Sequence, residues 1–345
     1  MEIDVIIPLY KPGKELFTLL DKLGSQSVPV HQVILLNTEE KYFEQLIYGI
    51  RFLETYQNIK VYHVSKKEFD HGGTRRMGVK KSSADVFVMM TQDAMPKDDR
   101  LIEKLVEPLQ GEVAVAYARQ LPREDSTPVE SYTREFNYPA KSRIKSAADL
   151  DSLGIKTFFC SNVCAAYRRE IYEELGGFVR HTIFNEDMIY AAKAVEAGYS
   201  VAYAADAQVV HSHNYTNGQQ FHRNFDLGVS QAEHPEIFAA YPSESEGKRM
   251  VKDVTVYLRS NHMSAGLPHF YMQCACKYHQ KKDCCLPFEY YLDYTMTGLL
   301  KTSHFSSEKR CKDKQKNSRL QVFSEIKKQG YKRGIKQGIK NHQRV

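Results

Sequence analysis

No stretch of the 345-residue chain approaches the roughly 18 uninterrupted apolar residues that a transmembrane helix needs. The start, MEIDVIIPLY, lacks the basic segment and small-residue cleavage site of a secretory signal, so the chain is expected to stay in the cytosol. A disulfide framework is missing too, because seven cysteines make an odd number. Four of them cluster in CACKYHQKKDCC (274–285) beside His279, but neither C-x-C nor adjacent cysteines match structural zinc spacing. Reduced cysteines on a helical segment are the expectation there. The spacings G-x-x-x-x-G-K-[ST] and G-x-G-x-x-G are absent, which excludes a Walker loop and the common dinucleotide fingerprint. Internal repeats and a nucleophile elbow are absent as well.

What is present is the composition of a globular protein, 42% apolar and 26% charged. Its length suits one large domain with an appendage, or two ordinary domains. Net charge is +6, unevenly placed: from Lys301 onward 14 Lys/Arg face 3 Asp/Glu, a balance of +11 that leaves the first 300 residues at −5. This is a basic tail on a mildly acidic body. The acidic body and the lack of a recognisable binding fold argue against nucleic acid as a partner. The tail, with Lys309, Arg310, Lys327, Lys328, Lys332 and Arg333 among its cations, could instead meet an anionic leaflet or remain solvated.

The first 120 residues alternate strand-like and helix-like runs. IDVIIPL reads as a strand, and KELFTLLDKL places Leu16, Leu19, Leu20 and Leu23 at helical spacing. After the strand QVILL, one helix is expected over KYFEQLIYGIRFLETY, with Phe43, Leu46, Ile47, Ile50 and Leu53 on one face. Then come strand NIKVYHV, a helix from Thr74 to Lys81, strand VFVMM, a helix in DDRLIEKLVEPL and strand VAVAYAR. Such alternation implies an α/β fold with a mostly parallel sheet. Residues 121–160 read as an irregular insertion interrupted by Pro122, Pro128 and Pro139. Next are strand VCAAY, a short helix stopped by two glycines, a helix with Asn185 as N-cap, and two strands, SVAYA and AQVVH. The expected organisation is a catalytic domain over 1–244, a helical region over 245–300 and the basic tail over 301–345.

Four stretches can carry chemistry. In EFDHGGTRRMG, Gly72 and Gly73 would let backbone approach a ligand, while Arg75 and Arg76 could bind phosphate; a tight loop with solvated arginines is the alternative. Asp93 ends the strand VFVMM, where open α/β sheets keep their ligand crevice. It could hold a divalent cation, cap the next helix or turn the chain. Glu186 and Asp187 start a helix, as stabilising acids or with one as general base. His211 and His213 alternate at a strand end, so at most one is expected to face the crevice.

Together these stretches resemble a family 2 glycosyltransferase of the GT-A fold, over roughly residues 1 to 230. VIIPLYKPGKEL resembles the family's first strand, FDHGGTRRMGVKKSSADVFVMMTQDAMP its nucleotide-sugar segment and NEDM its E-D motif. FDHGGTRR, TQDAMP, RQLPRE, FNYPAKS, SNVCAAYRR and HSHNYT look most like the bacterial rhamnosyltransferase branch. The resemblance implies a Rossmann-like nucleotide-sugar domain and an inverting transferase building cell-wall or surface polysaccharide. Asp93 matches the last position of the D-x-D motif and would bind Mg²⁺ or Mn²⁺, with His211 or His213 as a further contact. Asp187, beside Glu186, matches the catalytic base. Pro8, Tyr10, Asn37, His71, Gly72, Gly73, Arg75 and Gln92 would line the donor, for which the resemblance suggests dTDP-L-rhamnose. The acceptor would be a glycan or lipid-linked glycan at the inner face of the membrane. Thr91 and Asn37 stand where the motif and many relatives have Asp. A UDP-hexose donor, or a non-catalytic sugar-binding homologue, are the competing readings.

Overall fold

The structure, a computed structural model, describes residues 1–241 and 244–283. The expected basic tail and Cys284 and Cys285 of the cysteine cluster lie outside the described residues. The chain divides into two compact units: Met1–Thr182 with Glu186–His213, and Ile183–Asn185 with the residues from Asn214 onward.

The first unit is built on one nine-stranded sheet: β1 Ile3–Tyr10, β2 Gln32–Thr38, β3 Ile59–Val64, β4 Val86–Met90, β5 Met95–Pro96, β6 Val113–Leu121, β7 Arg143–Lys145, β8 Cys164–Arg168 and β9 Ser200–Val210. Strand order is β3-β2-β1-β4-β8-β6-β9-β5, with β7 paired to β9. Strands β1 to β4 pair in parallel, β8 runs antiparallel between β4 and β6, and β6 pairs in parallel with β9. β1, β2 and β4 read as near-continuous apolar runs because both of their faces are covered. Leu16, Leu19, Leu20 and Leu23 are buried on the Glu15–Gly24 helix, as their spacing predicts.

Four local expectations are corrected. The helix expected over residues 41–56 is two, Glu40–Ile47 and Phe52–Thr55, because Gly49 takes a positive φ of 74° between them. Phe52, not Ile50 or Leu53, then reaches the core, edge-on to Phe43 at 5.3 Å, while Ile50 and Leu53 are exposed. The irregular insertion contains a helix, Pro128–Asn137, in which Pro128 starts rather than breaks the element and Thr127 caps it. SVAYA and AQVVH are one strand, β9, bent by a register shift opposite Ala118 and Arg119.

The fourth correction concerns the glycine loop. It is the first turn of a helix, His71–Lys81, capped by Asp70, whose Oδ1 accepts from Gly73 N at 2.6 Å. A Cβ on Gly72 would lie 2.1 Å from the Val179 carbonyl oxygen, so this glycine admits the chain's own backbone. Gly72→Ala is expected to cost about 3 kcal/mol, because a backbone atom cannot step aside. A thermal melt should show the midpoint falling by several degrees.

The second unit is helical over its described residues, with helices Asn217–Glu233, Pro235–Phe238, Glu244–Ser260 and Leu267–Asp283. Thr216 and Gln219 close a capping box at the first. Among the described residues no helix is long and apolar enough to cross a membrane.

Candidate active site at the carboxyl edge of the sheet

Topology gathers the candidate residues on one edge. The ends of β1, β2, β4, β6 and β9 and the start of β8 all lie there, since β8 runs against its neighbours. Met95 of β5 pairs with Val210 of β9, so the Thr91–Ala94 turn is laid beside the residues that follow β9. That pairing brings Asp93 to both histidines. Asp93 Oδ1 lies 3.5 Å from His211 Nε2, Asp93 Oδ2 lies 3.2 Å from His213 Nε2, and the two imidazole nitrogens are 3.1 Å apart. The expectation that only one histidine could face the crevice fails because β9 ends at Val210, and strand alternation does not extend past it.

Burial would raise the Asp93 pKa, but hydrogen bonds from His211 and His213 hold it well below the usual carboxylate range. Burial lowers the His211 pKa, only partly offset by Asp93. One carboxylate and two imidazole nitrogens therefore converge at this edge. One ligand atom from each of Asp93, His211 and His213 falls within 4.8 Å of the others, and this donor set fits a divalent cation. The buried Thr91 hydroxyl makes no well-aligned hydrogen bond, though it lies near enough to Asp93 to favour the ionised form.

A second cluster surrounds the start of the Glu186–Glu196 helix. Asp187 Oδ2 accepts from Asn162 N at 2.9 Å, and its Oδ1 accepts from Met188 N at 2.8 Å. Glu186 Oε1 accepts from Asn162 Nδ2 at 2.9 Å and lies 3.2 Å from Arg75 Nε, in ion-pair range though not in line for a hydrogen bond. Burial would raise Glu186, but the Arg75 guanidinium holds it below its ordinary value. Asp187 moves the other way: burial, then the Glu186 charge, push it up to about 7. Paired carboxyls driven apart in this way mark one as a group that exchanges protons near neutrality.

The remaining candidates sit around these clusters. Gln92 clasps the end of β1, accepting from Tyr10 N at 2.9 Å and donating to Tyr10 O at 3.2 Å. Pro8 lies two residues earlier on β1, half-buried. Tyr10 is 42% exposed and stands edge-on to Tyr42 at 5.8 Å, an aromatic corner open to a ligand. Asn37, fully buried at the end of β2, donates to Glu39 O at 3.1 Å and faces His63 Nδ1 at 3.0 Å, while its Oδ1 has no partner among the described residues. Arg75 also donates to His71 O at 3.1 Å. Arg76 is not brought to the site, since it donates to the Gly176 and Phe178 carbonyls. Asn162 and Gln120 went unread in the sequence as site residues. Each lies in a quoted motif, SNVCAAYRR or RQLPRE, but only tertiary pairing shows what its amide does.

Residues 4–176 match the profile of Glycosyl transferase family 2. The chain is a family 2 glycosyltransferase. It is 42% identical over 267 residues to the O-antigen chain rhamnosyltransferase RfbN of Salmonella typhimurium, covering 76% of this chain and 82% of that one. It is 43% identical over 210 residues to the O-antigen chain rhamnosyltransferase WbaN of Salmonella anatum, covering 60% of this chain and 66% of that one. These likenesses place the glycosyltransferase in the rhamnosyltransferase branch and make it an enzyme. Among solved structures, the mannosyltransferase PcManGT of Pyrobaculum calidifontis, in complex with GDP-Man and Mn²⁺, superposes with a TM-score of 0.52 at 15% identity, over 96% of this chain and 87% of that one. The glycosyltransferase has the GT-A fold, as its motif order implied.

Proposed function

We propose that the enzyme transfers L-rhamnose from dTDP-L-rhamnose to a hydroxyl of a growing or lipid-linked O-antigen-type glycan, with inversion at the anomeric carbon. The observation that carries the chemistry is Asp187, a half-buried carboxyl held by two backbone N–H groups and lifted toward neutrality. Fixed in that way, it can take the acceptor hydroxyl's proton as the new bond forms. Inversion needs no covalent intermediate and therefore no separate nucleophile. Asp93, His211 and His213 would hold Mg²⁺ or Mn²⁺, which when bound supplies positive charge for the departing diphosphate. Glu186 and Arg75 neutralise one another and hold Asn162, which in turn aims Asp187. Tyr10, Asn37, Gln92 and the first turn of the His71–Lys81 helix are assigned to the nucleotide.

The names of the two Salmonella relatives support the sugar and the polymer, and the PcManGT complex supports a metal–nucleotide-sugar pairing. The basic 301–345 segment suits a peripheral position on an anionic membrane surface, where a lipid-linked acceptor resides. A donor panel tests the proposal. Purified enzyme with Mn²⁺ and a lipid-linked glycan acceptor is offered dTDP-rhamnose and UDP-hexoses, and product linkage is determined. Turnover of dTDP-rhamnose alone, with an inverted linkage, is expected. Turnover of a UDP-hexose without dTDP-rhamnose overturns the donor assignment, and a retained anomer overturns the mechanism.

A further inference from the structure

Gln120, 2% exposed at the end of β6, sits behind the histidine pair and has no part in the chemistry above. Its Nε2 donates to Tyr138 Oη at 2.6 Å and to Ser161 Oγ at 3.0 Å. Its Oε1 accepts from Arg134 Nη1 and lies 3.0 Å from His211 Nδ1. A guanidinium has only donors, so the amide atom facing Arg134 must be the oxygen. The amide cannot flip without turning its NH₂ onto that guanidinium. Since the same oxygen faces His211, Nδ1 must carry a proton. In a neutral imidazole this leaves the lone pair on Nε2, the nitrogen directed at Asp93 and His213.

Arg134 is itself fixed, donating from Nε to Glu130 Oε1 at 2.7 Å one turn earlier on the Pro128–Asn137 helix. Between the two histidines, Ser212 Oγ accepts from Arg123 N at 3.0 Å and meets Ser126 Oγ at 2.6 Å. Both contacts come from the segment that runs from β6 into this helix. The whole arrangement spends buried polar groups on the orientation of one ring.

We propose that Gln120, oriented by Arg134, locks His211 in its Nδ1–H tautomer and is thereby a positioning residue for a divalent cation at Asp93, His211 and His213. The inference rests on the metal assignment made above and extends it to residues that touch neither cation nor sugar. Outer hydrogen bonds of this kind set both tautomer and ring direction, and their loss commonly weakens metal binding about 10–100-fold.

The test uses the full chain without donor or acceptor. Nitrogen-15 NMR of the metal-free wild type, with His211→Gln to assign the ring, should show His211 protonated at Nδ1. Titration with Mn²⁺ alone, followed by electron paramagnetic resonance, should show Gln120→Leu binding about 10–100-fold more weakly. Gln120→Glu should bind within about threefold of wild type, because it keeps the acceptor and the Tyr138 and Ser161 hydroxyls can turn to donate. This rescue separates positioning from mere support of the fold. Undiminished Mn²⁺ binding by Gln120→Leu, or a wild-type His211 protonated at Nε2 and not at Nδ1, overturns the proposal. Should Gln120→Leu fail to fold, the wild-type tautomer and Gln120→Glu decide, and a loss of more than about tenfold in the latter is fatal to it. An enzyme that turns over dTDP-rhamnose yet binds no Mn²⁺ refutes this inference and the metal assignment together, but not the transfer. Gln120-dependent Mn²⁺ binding without rhamnosyl transfer does the reverse.

Discussion

Asp187→Asn is expected to lower kcat about 10³-fold, within the range that general base catalysis contributes. The loss should leave nucleotide affinity within about threefold, because a base contributes to the transition state rather than to donor binding. The pH profile carries the sharper signature. Burial and the Glu186 charge raise Asp187 to about 7, so the ionised, competent form is depleted below that pH. Wild-type kcat/KM should therefore fall about tenfold per pH unit on the acid side of this limb and level off above it. The residual rate of Asp187→Asn should lack the limb. Since both carboxylate oxygens accept backbone N–H groups, the amide must turn its NH₂ onto one of them, and some loss in thermal midpoint accompanies the substitution. A variant that melts lower but keeps its activity and its acid limb would remove Asp187 from the reaction.

The alternation of strands and helices was legible because each parallel strand is a short apolar run and each covering helix shows its stripe, as Leu16, Leu19, Leu20 and Leu23 do. The placement of Asp93 just past a strand and of Asp187 at a helix start was legible for a related reason: the end of a strand and the start of a helix are marked in the local sequence. What failed was anything set by distant backbone. Gly72 and Gly73 were read as a loop before a helix from Thr74, but they form that helix's first turn, where the missing Cβ of Gly72 makes room for the Val179 carbonyl 107 residues away. Pro128 was read as an interruption until Thr127 proved to be a cap. The two histidines were assigned to opposite faces by a periodicity that stops at Val210. Gln120 could not be read at all, because its partners Arg134, Tyr138, Ser161 and His211 converge only through the sheet and the helix beside it.

Thr91 is where sequence and geometry are most usefully combined. A threonine in place of the motif's first aspartate removes one negative charge, and under the proposed metal site the two histidines after β9 would supply nitrogen ligands in its stead. One carboxylate and two neutral imidazole ligands would leave a bound divalent ion with a net charge of about +1, where two carboxylates would cancel it. Such a site would bind the cation less tightly alone and attract a diphosphate more strongly.

Removal of divalent ions is accordingly expected to abolish activity, by about 10³-fold or more, and Mn²⁺ or Mg²⁺ to restore it. Asp93→Asn should be nearly as severe and should not be rescued at ordinary metal concentrations. Its carboxylate is the only charge the described ligand set offers the cation, and it meets both histidines at once. His213→Ala should be milder, raising the Mn²⁺ required for half-maximal rate about 10–100-fold while leaving a residual saturating rate, since Asp93 and the fixed His211 remain. Mn²⁺ affinity in the wild type should also rise when dTDP is bound and dTDP affinity should rise equally with Mn²⁺, because the coupling between two ligands is reciprocal. Calorimetric titrations in both orders measure it. Full turnover in the presence of a strong chelator, or Asp93→Asn acting at the wild-type rate, would show that the diphosphate leaves without a cation and that the three side chains meet for another reason.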